Sequence, residues 1–190
     1  MLWTTLPVGM VRAGLGVGDD RPISYLGTDP RGIVLFRLGL LVAALGFSIF
    51  AVEVFAVEVG RRLAQPASFL VVFLGGQACQ VVVALVSIAG RGTTHTVHTA
   101  AGILLGLSLP LLIWRYAAAQ PPGRWRELTY GLMALEVGGC VLGVALSVAG
   151  RAVVAEVAPA IVFHLWVVVV TLLGPEWRSG PGAGVVGSAT

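Results

Sequence analysis

Five long apolar stretches restrict the fold of this chain more than any other feature. A membrane-crossing helix needs about 20 predominantly apolar residues. Residues 32–58, 68–90, 97–119, 128–150 and 152–174 each supply such a run. Of the 190 residues, 57% are hydrophobic and only 11% are charged. A soluble domain carries about 25% charged residues, so this chain could not cover a solvated surface. An aqueous globular fold, a disordered chain and a coiled coil are thereby excluded. What remains is an all-α, polytopic membrane helix bundle with five transmembrane helices.

The links between the runs are short and carry arginine, glycine or proline: Gly60-Arg61-Arg62, Gly90-Arg91-Gly92, Gln120-Pro121-Pro122-Gly123-Arg124 and Gly150-Arg151. Short links make consecutive helices antiparallel neighbours in an up-and-down bundle. Residues 32–174 form the bundle, preceded by an outer N-terminal segment (1–31) and followed by a flexible Gly- and Ser-rich tail (175–190). Residues 1–18 read either as a partial sixth span, as a re-entrant piece or as an interfacial segment. They lack the basic start and long apolar core of a cleavable signal peptide. The pentapeptides 87–91 and 147–151, Ser-Ile-Ala-Gly-Arg and Ser-Val-Ala-Gly-Arg, suggest a faint repeat of one hairpin.

All 12 basic residues are arginines, and the net charge is +3. The arginines stand singly or in pairs between apolar runs, a pattern that signals topology and not nucleic-acid binding. Arg61, Arg62, Arg115, Arg124 and Arg126 flank one set of alternate links, against Arg91 and Arg151 in the other. The excess predicts that the first set is cytoplasmic, with the N-terminal segment outside and the C-terminus inside a plasma membrane. Arg12, Arg21 and Arg31 in the N-terminal segment run against it. Trp114, Tyr116, Trp125, Tyr130 and Trp177 lie where an aromatic belt would mark the inner boundary.

Small residues four apart let helices approach closely in lipid. Gly102 with Gly106, and Gly139 with Gly143, therefore predict helix contacts inside the bundle. Polar residues inside a bilayer are functional candidates, because burying them is expensive. With a rise of about 1.5 Å per residue, His164 lies about 18 Å, Glu136 about 21 Å, Gln77 about 20 Å and Gln80 about 15 Å below the outer ends of their spans. These four form a midplane polar cluster, with Ser48 and Ser108 in the same layer. Glu136 and His164 are its natural pair, since each relieves the desolvation of the other. The cluster reads either as a cavity for a proton, ion or lipid head group, or as a clasp that fixes helix packing.

A second constellation stands at the outer mouth of the third span, in Thr93-Thr94-His95-Thr96-Val97-His98. His95 and His98 share one face of a helix. With Glu156, or with Asp19, Asp20 or Asp29, they make a workable zinc set; the alternative is an ordinary interfacial histidine pair. Haem is disfavoured, because His98 lies about 2 Å and His164 about 18 Å below the outer surface, too far apart for one iron. No phosphate-binding loop and no ordered nucleophile–base set is present. Cys79 and Cys140 both lie in apolar runs, so no extramembrane disulfide framework exists.

The segment Pro22-Ile23-Ser24-Tyr25-Leu26-Gly27-Thr28-Asp29-Pro30-Arg31, followed by Phe36-Arg37, resembles the loop motif of the Frag–DRAM–Sfk membrane family. There an Ile-Ser-Asp-x-Gly loop and then a proline precede the second of six spans. A bacterial membrane family of unknown function has a similar loop, and His98 falls where such proteins often place a histidine. Tyr25 stands in place of the family's aspartate, and the first span is absent or shortened. The resemblance implies a loop outside the membrane and a lipid-associated or regulatory protein, with no catalytic residues. The reading is thus a non-enzymatic membrane subunit whose partners are lipids and other integral membrane proteins. The alternatives are a metal-dependent lipid hydrolase using His95 and His98, and a proton-coupled transporter using Glu136 and His164.

Overall fold

A computed structural model describes residues 2–55, 66–86, 88 and 92–178 of the chain. Among them every regular element is helical: α1 (Leu2–Ala13), a 3-10 turn (Ile23–Gly27), α2 (Ile33–Val54), α3 (Pro66–Leu85), α4 (Thr93–Ala119), α5 (Arg124–Val148) and α6 (Ala152–Arg178). Glu58, Arg61, Arg62, Arg91, the residues 179–190, the side chain of Trp177 and most of the 87–91 pentapeptide lie outside the described residues.

The five helices α2 to α6 are each long and apolar enough to cross a membrane, the architecture of a multi-pass membrane protein. Their sides confirm the solvent they are built for. Only 17–33% of each span is buried inside the protein, and Val34, Val71, Val144 and Val148 are 68–86% exposed. In water such an apolar belt would aggregate; in lipid it is the expected surface. Two spans begin four residues before their apolar runs. α4 starts at Thr93, just after Gly92 (φ +75°), and α5 at Arg124, just after Gly123 (φ +144°). Both glycines adopt a backbone that other residues rarely reach, so the turn geometry, not hydropathy, sets these helix starts.

The 12-residue α1 is too short to cross a bilayer. It runs antiparallel to α2: the Arg31 guanidinium donates to Ala13 O at 3.3 Å, and Gly9 lies against Gly32 and Leu35. Leu6 and Met10 pack against a core of Leu15, Ile23, Leu26, Phe36 and Val153. The N-terminal segment is thus a short sixth helix embedded in one end of the bundle. That end also holds the 3-10 turn and is called here the loop end; the α4–α5 link marks the far end.

The two ends are built differently. Toward the far end the interior is aromatic. Trp166 of α6 is fully buried and contacts Phe50, Tyr116 and Phe163 at ring-centroid distances of 5.9, 5.6 and 5.5 Å. Tyr116 and Trp125 are buried in this cluster, so they do not form the expected boundary belt; Trp114, 43% exposed, is placed as expected. Between helices in lipid, tight packing of this kind supplies the attraction that the hydrophobic effect supplies in water.

Close backbone approach occurs at one of the two expected glycine pairs. A Cβ on Gly143 would lie 2.7 Å from Ala155 O, and one on Gly139 would lie 3.5 Å from Pro159 Cα. Pro159 has no N–H, so the Ala155 carbonyl lacks its helical partner; Gly143 is the residue that lets α5 lie on it. By contrast, a Cβ on Gly102 or Gly106 would meet nothing within 4 Å. That pair does not mediate a helix contact. The α3–α4 approach is instead at Gly76, where a Cβ would lie 2.5 Å from Ser108 Oγ. Gly143→Leu should therefore destabilise the protein by about 1–3 kcal/mol through overpacking. Gly106→Leu should leave the melting temperature in detergent unchanged. Equal losses in the two variants would contradict this assignment.

Candidate functional site

The loop end is held by two Asp-x-Arg elements. Asp19 pairs with Arg21 at 2.6 Å and Asp29 with Arg31 at 3.0 Å. Arg21 also donates to Gly14 O at 3.2 Å, so both arginines close the C-terminal carbonyl end of α1, where cations are favoured. Side-chain hydrogen bonds from Arg21 and Arg31 hold the Asp19 and Asp29 carboxyls below the usual carboxylate range. Neither aspartate therefore stands open as the metal ligand expected from the sequence.

Between these pairs the 3-10 turn is pressed into the bundle. Ile23, Ser24 and Leu26 are buried. The Ser24 backbone N–H donates to Glu156 Oε2 at 3.0 Å, and its hydroxyl donates to Glu156 Oε1 at 3.0 Å. Glu156 thus serves as the anchor of the loop on α6.

Beneath this loop lies a cavity of about 510 Å³, bounded by α1, α2, α3, α4 and α6, with Ser147 of α5 at its edge. Ligand sites commonly measure about 300–1,000 Å³. Its walls are chiefly apolar, and Gly102 and Gly106 line it, which explains why their missing side chains leave open space. Gly102 and Ile103 on the α4 wall are exposed, so the cavity reaches the side of the bundle there.

Polar groups enter the cavity at two levels. Ser24, Glu156 and His98 lie under the loop, while Gln77, Gln80 and His164 lie deeper. Glu156 and His164 are about 12 Å apart along α6 by helical rise. His98 is buried, and its Nδ1 lies 2.7 Å from Val86 O; His95 is exposed, with Nδ1 3.1 Å from Ile88 O. The i, i+3 spacing does put both rings on one side of a helix, and both are turned to carbonyls just past the end of α3. Such terminal carbonyls lack intrahelical donors. Among the described residues no group of three His, Cys, Asp or Glu side chains gathers as a metal set.

The deeper level brings together three of the four expected midplane residues. Gln80 Nε2 donates to Leu40 O at 2.9 Å, and Gln77 is buried with an Oε1 that has no partner. His164 Nδ1 lies 2.6 Å from Ala160 O, and its ring packs against Phe47 at 4.9 Å. Glu136 stands apart. It is fully buried, yet it does not line the cavity. Its Oε1 accepts from the Cys140 thiol at 3.8 Å, and Oε2 has no partner. The α5–α6 register, Gly143 on Ala155 and Gly139 on Pro159, puts Glu136 level with Val162, about 3 Å along the axis from His164. The depths agree, but the faces differ. His164 is turned to α2, while Cys140, next to Glu136, approaches Gly106 O of α4 at 4.0 Å. No hydrogen bond or ion pair links Glu136 to His164 among the described residues. Glu136 has only a long thiol contact to offset its burial, so an apolar side chain of similar volume removes the desolvation cost and loses little. Glu136→Met should therefore hold or raise the melting temperature; a clear fall would mean that Glu136 holds a partner in the bundle.

No protein-family model, no curated protein and no solved structure matches this chain.

Proposed function

We propose that this multi-pass membrane protein is a non-enzymatic, lipid-associated protein that holds a lipid in the cavity beneath its loop. The observation that carries this reading is the cavity itself: apolar walls, polar groups at two levels, and a side opening between spans whose outer faces contact lipid. A membrane lipid has the matching form, a long apolar tail with a polar end, and reaches the opening by lateral diffusion. The loop that resembles the Frag–DRAM–Sfk motif forms the roof of this cavity, which supports the same role. No observation favours the hydrolase or the transporter reading: among the described residues no three His, Cys, Asp or Glu side chains gather as a metal set, and no hydrogen bond or ion pair joins Glu136 to His164. A regulatory role toward other integral membrane proteins would follow if a bound lipid altered the lipid-facing side of α4.

The test is lipid retention. Wild-type protein purified in mild detergent should show a lipid-sized adduct by native mass spectrometry. Gly106→Phe places a ring in the open space of the wall and should strip the adduct while the melting temperature stays within a few degrees. An adduct kept undiminished in Gly106→Phe would locate the lipid elsewhere on the protein and end the reading.

The arginine excess supports a plasma-membrane orientation with the loop end outside and the α4–α5 link and C-terminus in the cytoplasm. Single cysteines at the exposed positions Thr93 and Pro122, in a background with Cys79 and Cys140 replaced by serine, read the orientation directly. In intact cells an impermeant maleimide should label Thr93→Cys and spare Pro122→Cys. The opposite pattern would invert the topology.

A further inference from the structure

Two buried side chains at the cavity, His98 and Gln80, each commit a donor to a backbone carbonyl and keep an atom for the cavity. His98 directs Nδ1 at Val86 O, 2.7 Å away. A carbonyl can only accept, so Nδ1 carries a proton, and a neutral ring then offers Nε2 as an acceptor. The same logic fixes the Gln80 amide. Nε2 donates to Leu40 O at 2.9 Å, which makes Oε1 the end left for the cavity that Gln80 lines. Both side chains are more than nine-tenths buried, at 5% and 6% exposure. Neither His98 Nε2 nor Gln80 Oε1 has a hydrogen-bond partner within the protein among the described residues, and neither is among the atoms sealed away from contact. Glu156 adds a carboxyl group that accepts two hydrogen bonds from Ser24. No arginine lines the cavity among the described residues.

Free acceptors at two levels favour a head group that can donate. A phosphate or carboxylate head would bring negative charge against Glu156, and no arginine lines the cavity among the described residues. An ester, ether or quinone end can accept, for instance from the Gln77 amide, but leaves the Gln80 acceptor without a donor. An ammonium head would have to shed its water in an apolar cavity, at a cost of several kcal/mol that one carboxyl group does not recover by default. A hydroxyl supplies the missing donor at little desolvation cost. From this we infer that the cavity selects a neutral lipid bearing a hydroxyl head, such as a long-chain or isoprenoid alcohol or a monoacylglycerol. The hydroxyl donates to Gln80 Oε1 at the deeper level or to His98 Nε2 under the loop, and the tail leaves through the opening beside Gly102 and Ile103. The inference rests on the reading of the cavity as a lipid site.

Three probes with one tail separate the possibilities: hexadecanol, its methyl ether, and hexadecyl phosphate. Their binding to the delipidated, full-length protein in detergent is followed by native mass spectrometry. Hexadecanol should bind about tenfold more tightly than the ether, the difference expected when one buried acceptor gains or lacks its donor, and the phosphate should bind more weakly than hexadecanol. Gln80→Leu and His98→Phe test the two acceptors. One of them should bring hexadecanol down to the level of the ether while the ether itself is unaffected. Should these variants fail to fold, the wild-type comparison still decides, because the probes differ and the protein does not. Equal binding of hexadecanol and its ether, with both blocked by Gly106→Phe, overturns the head-group inference and leaves the lipid cavity standing. Tighter binding of the phosphate overturns it likewise. If no probe binds wild type, or Gly106→Phe changes nothing, the lipid cavity itself is lost.

Discussion

The loop-end half of this bundle depends on Glu156 accepting two hydrogen bonds from Ser24. In that half α4 and α6 stand apart around open space, so direct packing of α4 on α6 contributes little. The 3-10 turn replaces it. Leu26 is fully buried at the centre of the loop-end core, beside Phe36 of α2 and Val153 of α6. Ser24 ties the turn to α6 at the level where an unanchored loop would let the roof lift. The Asp19–Arg21 and Asp29–Arg31 pairs hold the segments on either side and attach them to the end of α1. Anchoring a loop through a buried carboxyl group also satisfies that group, so one pairing serves both the roof and Glu156.

The far half solves the opposite problem. Lipid tails are as apolar as leucine, so burying a side chain between helices gains nothing unless contacts are denser than in lipid. Trp166, Phe163, Phe50 and Tyr116 achieve that density. Two prolines add a further device. Pro110 and Pro159 each remove the donor of the carbonyl four residues earlier, freeing Gly106 O and Ala155 O. A free carbonyl at membrane depth must find contact within the protein. The Cys140 thiol approaches the first at 4.0 Å, and α5 closes over the second at Gly143. The bundle is therefore filled by aromatic side chains toward the far end and hollow beneath the loop, where the polar groups of the candidate site line the cavity.

Much of this architecture is legible in the sequence, and the reason is dimensional. Span length, link length and helical rise are one-dimensional quantities, so they give five spans, antiparallel neighbours and the common depth of Gln77, Gln80, Glu136 and His164. What they omit is rotation about the helix axis. Glu136 and His164 lie at one level and point to different neighbours. Gly102 and Gly106 have the same spacing as Gly139 and Gly143, yet border empty space, because spacing marks a face and not what stands opposite it. The lone Gly76 makes the tighter approach and has no motif. Glu156 pairs with Ser24 from 132 positions away in the chain, a contact that no local pattern encodes. One local pattern does encode part of the loop: Asp19-Asp20-Arg21 and Asp29-Pro30-Arg31 repeat an acid two residues before an arginine, the spacing at which the arginine folds back on the acid.

The hollow also carries a thermodynamic consequence. In water an apolar cavity can remain dry, because filling it with water gains no hydrogen bonds. A cavity open to the side of a membrane bundle has a different exterior, made of chains that lose nothing when they leave the bilayer for an apolar wall. Atoms lining a void lack partners on one side and forfeit dispersion energy, so a chain that slides in restores contacts at no hydrophobic cost. On the lipid reading proposed above, occupancy of the apolar part is favoured in a membrane whatever the chain. Selectivity must then come from the polar groups alone. This is why the committed donors of His98 and Gln80 matter more than the size of the cavity: any tail fits the wall, but only a head group that donates can satisfy the acceptors left facing inward.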